Sequence, residues 1–299
     1  MARPIRYQPE EWSVSFVTGR CIHSRYLLRP SPRTNAIVIG ALARALKRYE
    51  VKLFGVCFMS NHYHLLLSSK NAGALAGFMQ YIGSNIAREI GRMHRWREKF
   101  WSRRYRASAV LDDAAQQDRM RYILSNSVKE GLVKHPRYWP GVHCYRHLVE
   151  RSPLSGIWID RTALNRNPGA PRSEFTTRYQ LQLDSLPCFD GLSDMEYRQT
   201  IRALADEAVA GCDDVLKFIG QKKVLVQEPL ASPEQTNFSP APLCHSGCSQ
   251  LKREFLSAFR DFVTAYKQAY QRVMTSGLAL EFPPGSLPPT AWSRSLTPT

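Results

Sequence analysis

Asn61-His62-Tyr63-His64-Leu65-Leu66-Leu67 sets two histidines two residues apart at the head of an apolar run. Side chains on a β-strand alternate, so His62 and His64 point to one face and Tyr63 to the other. Two imidazoles held side by side on a rigid strand are most of a metal site that still needs a third ligand. Immediately before them, Val51–Met59 reads as a buried strand and Ser60-Asn61 as a short turn. With His62–Ser68 returning, the two runs form an antiparallel hairpin.

Working outward, Trp12–Arg20 alternates bulky with small or polar residues and reads as a strand. Thr34–Tyr49 and Ala72–Met93 carry apolar residues at helical spacing. Tyr105–Leu111 is a further strand. Asp112-Asp113 supplies an N-cap for a helix that runs to about Glu130 and stops at Gly131. The order β-α-β-β-α-β-α predicts an α+β fold, a sheet with helices packed on it.

The rest of the chain reads differently. Asn165–Arg172 (NRNPGAPR) looks like a linker, and Ala231–Pro242 like a loop rich in Pro and Ser. Ser193–Phe218 and Cys248–Met274 read as helices, the second with Phe255, Phe259, Phe262 and Val263 on one face. The tail from Phe282 is Pro-rich and irregular. The chain is therefore expected to divide into residues 1–165, which carry the His pair, and 166–299, a mainly helical extension with loops.

Charge follows the same division. Residues 1–150 hold 25 Lys/Arg against 10 Asp/Glu, whereas 151–299 hold 16 against 15. A field that positive on the half with the His pair points to a polyanion, above all nucleic acid. No segment approaches the length of apolar chain that spans a bilayer, so no membrane partner is expected. The start, MARPIRYQPEEW, lacks the apolar core of a signal peptide. Seven scattered cysteines form no disulfide framework. The expected location is the cytoplasm, at the nucleoid.

On the helix after Asp112, Met120, Ile123, Leu124 and Val128 make one apolar face. Tyr122 lies nearly opposite, with Asn126 one turn further and Asp118, Arg119 and Lys129 on the same polar side. Residues four apart on a helix reach one point in space. A divalent cation on His62 and His64, with the Asn126 amide oxygen as third ligand, would polarise a phosphate diester. Tyr122 would then attack phosphorus, leaving a phosphotyrosine and a free hydroxyl. Mg²⁺ prefers oxygen ligands, and two imidazoles also suit Mn²⁺. Tyr63, Tyr105, Tyr138 and Tyr145 compete as nucleophiles. Tyr63 faces away, and the others lack a matched helical ligand. Arg92, Arg95, Arg97, Lys99, Arg103, Arg104 and Arg106, interleaved with Trp96, Trp101 and Tyr105, suit backbone contact with base stacking.

Each feature has a plainer reading. A lone H-x-H is more often incidental than metallic, and the Tyr122/Asn126 helix with the basic field tips the balance. The basic run would otherwise be a solvated loop. Cys244-His245-x-x-Cys248 has no second ligand pair at zinc-finger spacing.

Three motifs also resemble a known family. Met59-Ser60-Asn61-His62-Tyr63-His64-Leu65-Leu66-Leu67 resembles the HUH motif of the single-tyrosine, IS200-like transposases. Phe100-Trp101-Ser102-Arg103-Arg104-Tyr105 and the run from Arg121 to Val133 resemble segments of the REP-associated tyrosine transposase branch. Ser127 stands where that branch usually has proline. The resemblance covers about residues 10–150. It implies a ferredoxin-like HUH fold with a central antiparallel sheet, Tyr122 as nucleophile and Asn126 completing the metal site. It implies nicking and joining of single-stranded DNA near hairpins. Family members work as dimers that exchange the tyrosine helix or as monomers, so a homodimer stays open. Pro242-Leu243-Cys244-His245 and Phe282-Pro283-Pro284-Gly285 resemble patches on longer members, without a role. The alternatives are a domesticated hairpin-binding protein with little cleavage activity, a replication initiator or relaxase on the same chemistry, and, more distantly, a zinc hydrolase.

Overall fold

The computed structural model describes residues 5–211, 217–234, 242–276 and 281–287. The first strand, β1 (Val14–Arg20), leads to α1 (Pro32–Leu46) and then to the hairpin of β2 (Val51–Phe58) and β3 (His62–Ser69). α2 (Ala72–Met93), β4 (Arg106–Val110) and α3 (Asp113–Lys129) follow. Local chemistry fixes the helix starts. The Ser31 hydroxyl accepts from the Thr34 amide at 3.0 Å, with Pro32 in the first turn. The Asn71 and Asp112 side chains cap α2 and α3 through the amides of Ala74 (2.9 Å) and Ala115 (2.7 Å). α3 ends at Gly131, whose φ of 64° lies where a side chain is strained.

The first four strands pair in the order β2-β3-β1-β4 within one sheet, with β1 antiparallel to both β3 and β4. These strands have the βαββαβ connectivity and strand order of a ferredoxin-like fold, as expected. One correction concerns the sheet. A fifth strand, β7 (Cys244–His245), joins β4 in parallel, so the sheet is mixed rather than antiparallel. Its two residues sit in a patch that carries no alternation long enough to read as a strand.

A second correction concerns the segment Asn165–Arg172. After α4 (Tyr145–Glu150), β5 (Leu154–Ile159) pairs antiparallel with β6 (Thr176–Leu181). The expected linker lies inside this hairpin, partly as α5 (Arg161–Arg166). The extension is thus partly β-structure. Arg161 makes a two-pronged ion pair with Glu89 of α2. The hydrophobic core runs on through Leu181, Leu183 and Leu186 into α6 (Asp194–Ala210), where Tyr197, Ile201 and Leu204 are buried. The boundary expected at 165/166 falls within this packing.

α6 begins with a capping box between Ser193 and Glu196 and packs on α3. Among the described residues α7 (Gln221–Leu225) and α8 (Ser249–Ser276) follow. Phe255, Phe259 and Phe262 of α8 close around Tyr7, with ring centroids 4.5–5.9 Å away. The Phe282–Gly285 patch fastens that end, since Phe282 packs on Tyr266 and Gly285 accepts from the Gln8 amide. Parts of the expected Ser193–Phe218 helix, of the Ala231–Pro242 loop and of the tail lie outside the described residues. Among the described residues no helix is long and apolar enough to cross a membrane.

α1 and β5 touch backbone to backbone through two glycines. A Cβ on Gly40 would lie 1.8 Å from the Ile157 carbonyl oxygen, and one on Gly156 would lie 2.3 Å from the Gly40 nitrogen. Backbone cannot retreat as a flexible side chain can. Gly40→Ala is therefore expected to destabilise the protein by about 3 kcal/mol, the upper range for overpacking. A thermal melt checks this, and an unchanged midpoint would mean that α1 and β5 do not meet as described.

Candidate active site and nucleic-acid interface

Strand pairing places the histidines. In the β1–β3 register Arg20 lies opposite His62 and Thr18 opposite His64. The pleat turns both imidazoles toward α3, their ring centroids 5.0 Å apart. Tyr63 turns the other way, stacking with Phe58 and meeting Trp101 edge-on at 5.4 Å.

α3 delivers the other two residues. The Tyr122 ring meets His64 edge-on at 5.1 Å. Asn126 is buried, with its amide beside His62. His62, His64, Tyr122 and Asn126 are thus brought to one place. On the polar side of the helix Asn126 is buried and Tyr122 half-buried, whereas Asp118 and Lys129 are exposed. α3 lies between the sheet and α6, so Tyr122 and Asn126 close over the histidines while Met120, Ile123 and Leu124 are fully buried.

The electrostatics favour neutral imidazoles. Burial, with the nearby Arg20 guanidinium, pushes His62 down to about 3. Burial, His62, Arg20 and Arg119 push His64 in the same direction. A neutral imidazole keeps the lone pair that a metal requires. His62 Nδ1 lies 2.7 Å from the Asn61 side-chain oxygen, which orients the ring. His64 Nδ1, His64 Nε2 and Asn126 Oδ1 are all buried without a hydrogen-bond partner. Such atoms are costly unless something else satisfies them. Among the described residues no cluster of three or more His, Cys, Asp and Glu could hold a metal. The three expected ligands, His62, His64 and the Asn126 amide oxygen, lie together there.

Burial, then Glu130, raise the affinity of the Tyr122 phenol for its proton, whereas Arg119 and Arg20 lower it. Arg119 lies 5.2 Å above the Tyr122 ring, and Lys129 lies 5.4 Å from it. Arg119 over the ring thus works against the burial that keeps the phenol protonated.

The basic segment ends beside the same site. The Ser102 amide donates to Arg20 O at 2.9 Å, and the Ile22 amide donates to Phe100 O at 2.9 Å, next to the His62 end of β1. Arg92, Arg95, Arg97, Lys99, Arg103 and Arg104 are exposed, while Arg106 is half-buried on β4. Arg92 pairs with Glu89. Trp101 and Tyr105 are engaged in packing. The Trp101 indole N–H donates to Gly83 O at 2.9 Å, and Tyr105 lies beneath Arg6, 4.1 Å from its ring. Of the designated contacts, the exposed cations are the ones displayed to solvent.

Three residues of this region escape a reading by motif. Phe16 of β1 stacks on His64 at 5.4 Å and meets Tyr122 edge-on at 5.6 Å. Arg20 and His245 are the others, and only pairing across the sheet brings them in. Tyr138 is exposed and Tyr145 packs on His135, apart from the histidine pair of β3.

Residues 31–126 match the model of a family described as Transposase IS200 like. A curated REP-associated tyrosine transposase of Haemophilus influenzae is 24% identical over 111 residues, 34% of this chain. The chain spans 63% of that relative's length. The resemblance read from the three motifs therefore holds. Among solved structures, a REP-associated tyrosine transposase bound to a REP hairpin aligns at 17% identity and a TM-score of 0.43. That alignment covers 50% of this chain and 87% of the other. A bacterial tRNA(His) guanylyltransferase-like protein in complex with ATP aligns at 9% identity and a TM-score of 0.34, covering 67% and 92%.

Proposed function

We propose, from the match of residues 31–126 to the IS200-like transposases, that this chain is a metal-dependent DNA transesterase that nicks and joins single strands near hairpins through Tyr122. The observation that carries the reading is the convergence of Tyr122 on two neutral histidines and a buried Asn126, with both His64 ring nitrogens and Asn126 Oδ1 lacking a hydrogen-bond partner.

In this reading His62, His64 and Asn126 would hold Mg²⁺ or Mn²⁺, which would supply Lewis-acid polarisation of the scissile phosphate. The protein's own residues do the rest. The exposed arginines beside β1 hold the strand by its phosphates. Packing between His64 and Phe16 fixes the Tyr122 ring, so its hydroxyl starts from a set position. The Tyr122 hydroxyl gives up its proton to water, and Arg119 and Lys129 offset the phenolate charge. A bond forms from Tyr122 Oη to phosphorus as one ester bond breaks. The departing oxygen takes a proton and leaves as a hydroxyl. Joining is the reverse attack by a hydroxyl on the phosphotyrosine.

The test incubates the full chain and Mn²⁺ with labelled strands carrying short imperfect palindromes from the DNA beside its gene. A protein–DNA adduct that survives denaturation is expected. Tight hairpin binding with no adduct under any divalent cation would favour a domesticated binding protein instead.

Binding is expected to be strongly salt-dependent. With six or more phosphate contacts, affinity should fall by about a thousandfold or more between 50 and 200 mM salt. Replacing Arg95, Arg97 and Lys99 together with Gln should lower the slope of log affinity against log salt by about one per residue. Fluorescence anisotropy across a salt series measures this. A slope untouched by the triple substitution would place the phosphate contacts elsewhere.

A further inference from the structure

The Pro242–His245 patch has no part in the reading above, yet the sheet delivers it to the same site. β7 lies parallel to β4 with Val110 opposite His245. The Ala109 amide donates to Leu243 O and the Leu111 amide to His245 O, each at 3.0 Å. The Ser108 hydroxyl donates to Pro242 O at 2.5 Å. The next residues are held by the cap of the tyrosine helix itself. While Asp112 caps α3, its carboxylate also accepts from the amides of Gly247 (2.9 Å) and Cys248 (3.3 Å) and from the Ser246 hydroxyl. One carboxylate therefore ties the start of α8 to the start of α3. Contact there is close, because a Cβ on Gly247 would lie 3.1 Å from that of Ala114.

So held, the His245 ring meets Phe16 edge-on at 5.8 Å. Phe16 is the ring on which His64 stacks and against which Tyr122 stands, and Arg119 lies 5.4 Å over it. Of these four side chains set around the Phe16 ring, three belong to the proposed site. The fourth comes from the extension.

We infer that His245 is a positioning residue of the cleavage site: the extension seats it against Phe16, and Phe16 in turn sets the places of His64 and Tyr122. The inference rests on the proposed transesterase reading. Its chemistry is packing rather than proton transfer. Burial and the Arg119 charge hold the His245 imidazole down to about 4, so it adds no second cation beside Arg119 at neutral pH. The bland alternative is that His245 merely finishes a sheet edge, in which case losing its ring would leave the reaction alone.

The experiment uses the full chain, a hairpin-bearing strand and Mn²⁺. It measures the rate of adduct formation at saturating DNA and, separately, hairpin affinity, for wild type, H245A and H245F. H245A is expected to slow adduct formation by about ten- to a hundredfold, the scale of a small misplacement of reacting groups. Its hairpin affinity should stay near wild type. H245F keeps a flat ring against Phe16 and is expected to restore most of the rate. Should H245A fail to fold, H245L against H245F makes the same comparison, since only Phe offers a flat face. A wild-type rate in H245A, equal defects in H245A and H245F, or weakened binding with an unchanged rate would each overturn the positioning role. Wild-type protein that binds the hairpin but forms no adduct would instead be a failure of the transesterase reading, and the inference would fall with it.

Discussion

Tyr122→Phe is expected to abolish adduct formation, by about 10⁴-fold or more, while hairpin binding stays near wild type. Losing a covalent nucleophile removes the reaction path itself, which is why the expected effect is so large. The substitution is clean because the ring remains. Phe can keep the edge-on contacts with His64 and Phe16 and the cations of Arg119 and Lys129 above it. No charge changes at neutral pH, since burial and Glu130 favour the protonated phenol in the resting site. A denaturing gel of labelled strand with wild-type and variant chains reads the result directly. An adduct persisting in the variant would move the nucleophile elsewhere. Tyr63 is a poor replacement, being buried on the opposite face of β3 against Phe58 and Trp101.

The parts of this site that are legible in the sequence are those fixed by short-range geometry. His62 and His64 share a face because strands have a period of two. Tyr122 and Asn126 come together because helices bring residues four apart onto one side. Asp112 and Gly131 mark the ends of α3 by capping chemistry that needs no knowledge of the rest of the fold. Residues joined by long-range pairing are not legible in this way. Phe16 and Arg20 reach the histidines only through the β1–β3 register, across more than forty residues of chain. His245 arrives through a two-residue parallel strand. The buried state of Asn126 was hidden for a related reason. Periodicity reports one apolar stripe on α3, but Asn126 on its other side is covered through contacts set by the fold. The turn-rich NRNPGAPR segment misleads in the opposite way, because Pro and Gly mark a long hairpin connection as readily as a domain linker.

His62→Ala and His64→Ala are each expected to remove metal-dependent cleavage, by at least about a hundredfold, and to weaken Mn²⁺ binding by the protein without DNA. With only Asn126 left beside one imidazole, no redundant ligand remains, and a neutral amide alone holds a divalent ion weakly. Asn126→Ala should impair cleavage less, because both imidazoles survive. His64 permits a sharper version. Both of its ring nitrogens are buried without a hydrogen-bond partner, which is costly in the absence of a bound ion. His64→Leu removes that unsatisfied polar group and is expected to stabilise the metal-free chain by about 1 kcal/mol or more while eliminating Mn²⁺ binding. Thermal melts with and without Mn²⁺ separate the two effects. Wild type should gain stability from the ion, and His64→Leu should start higher and gain none. A His64→Leu chain that still responds to Mn²⁺, or a double His variant that cleaves undiminished, would sink the metal site proposed on β3.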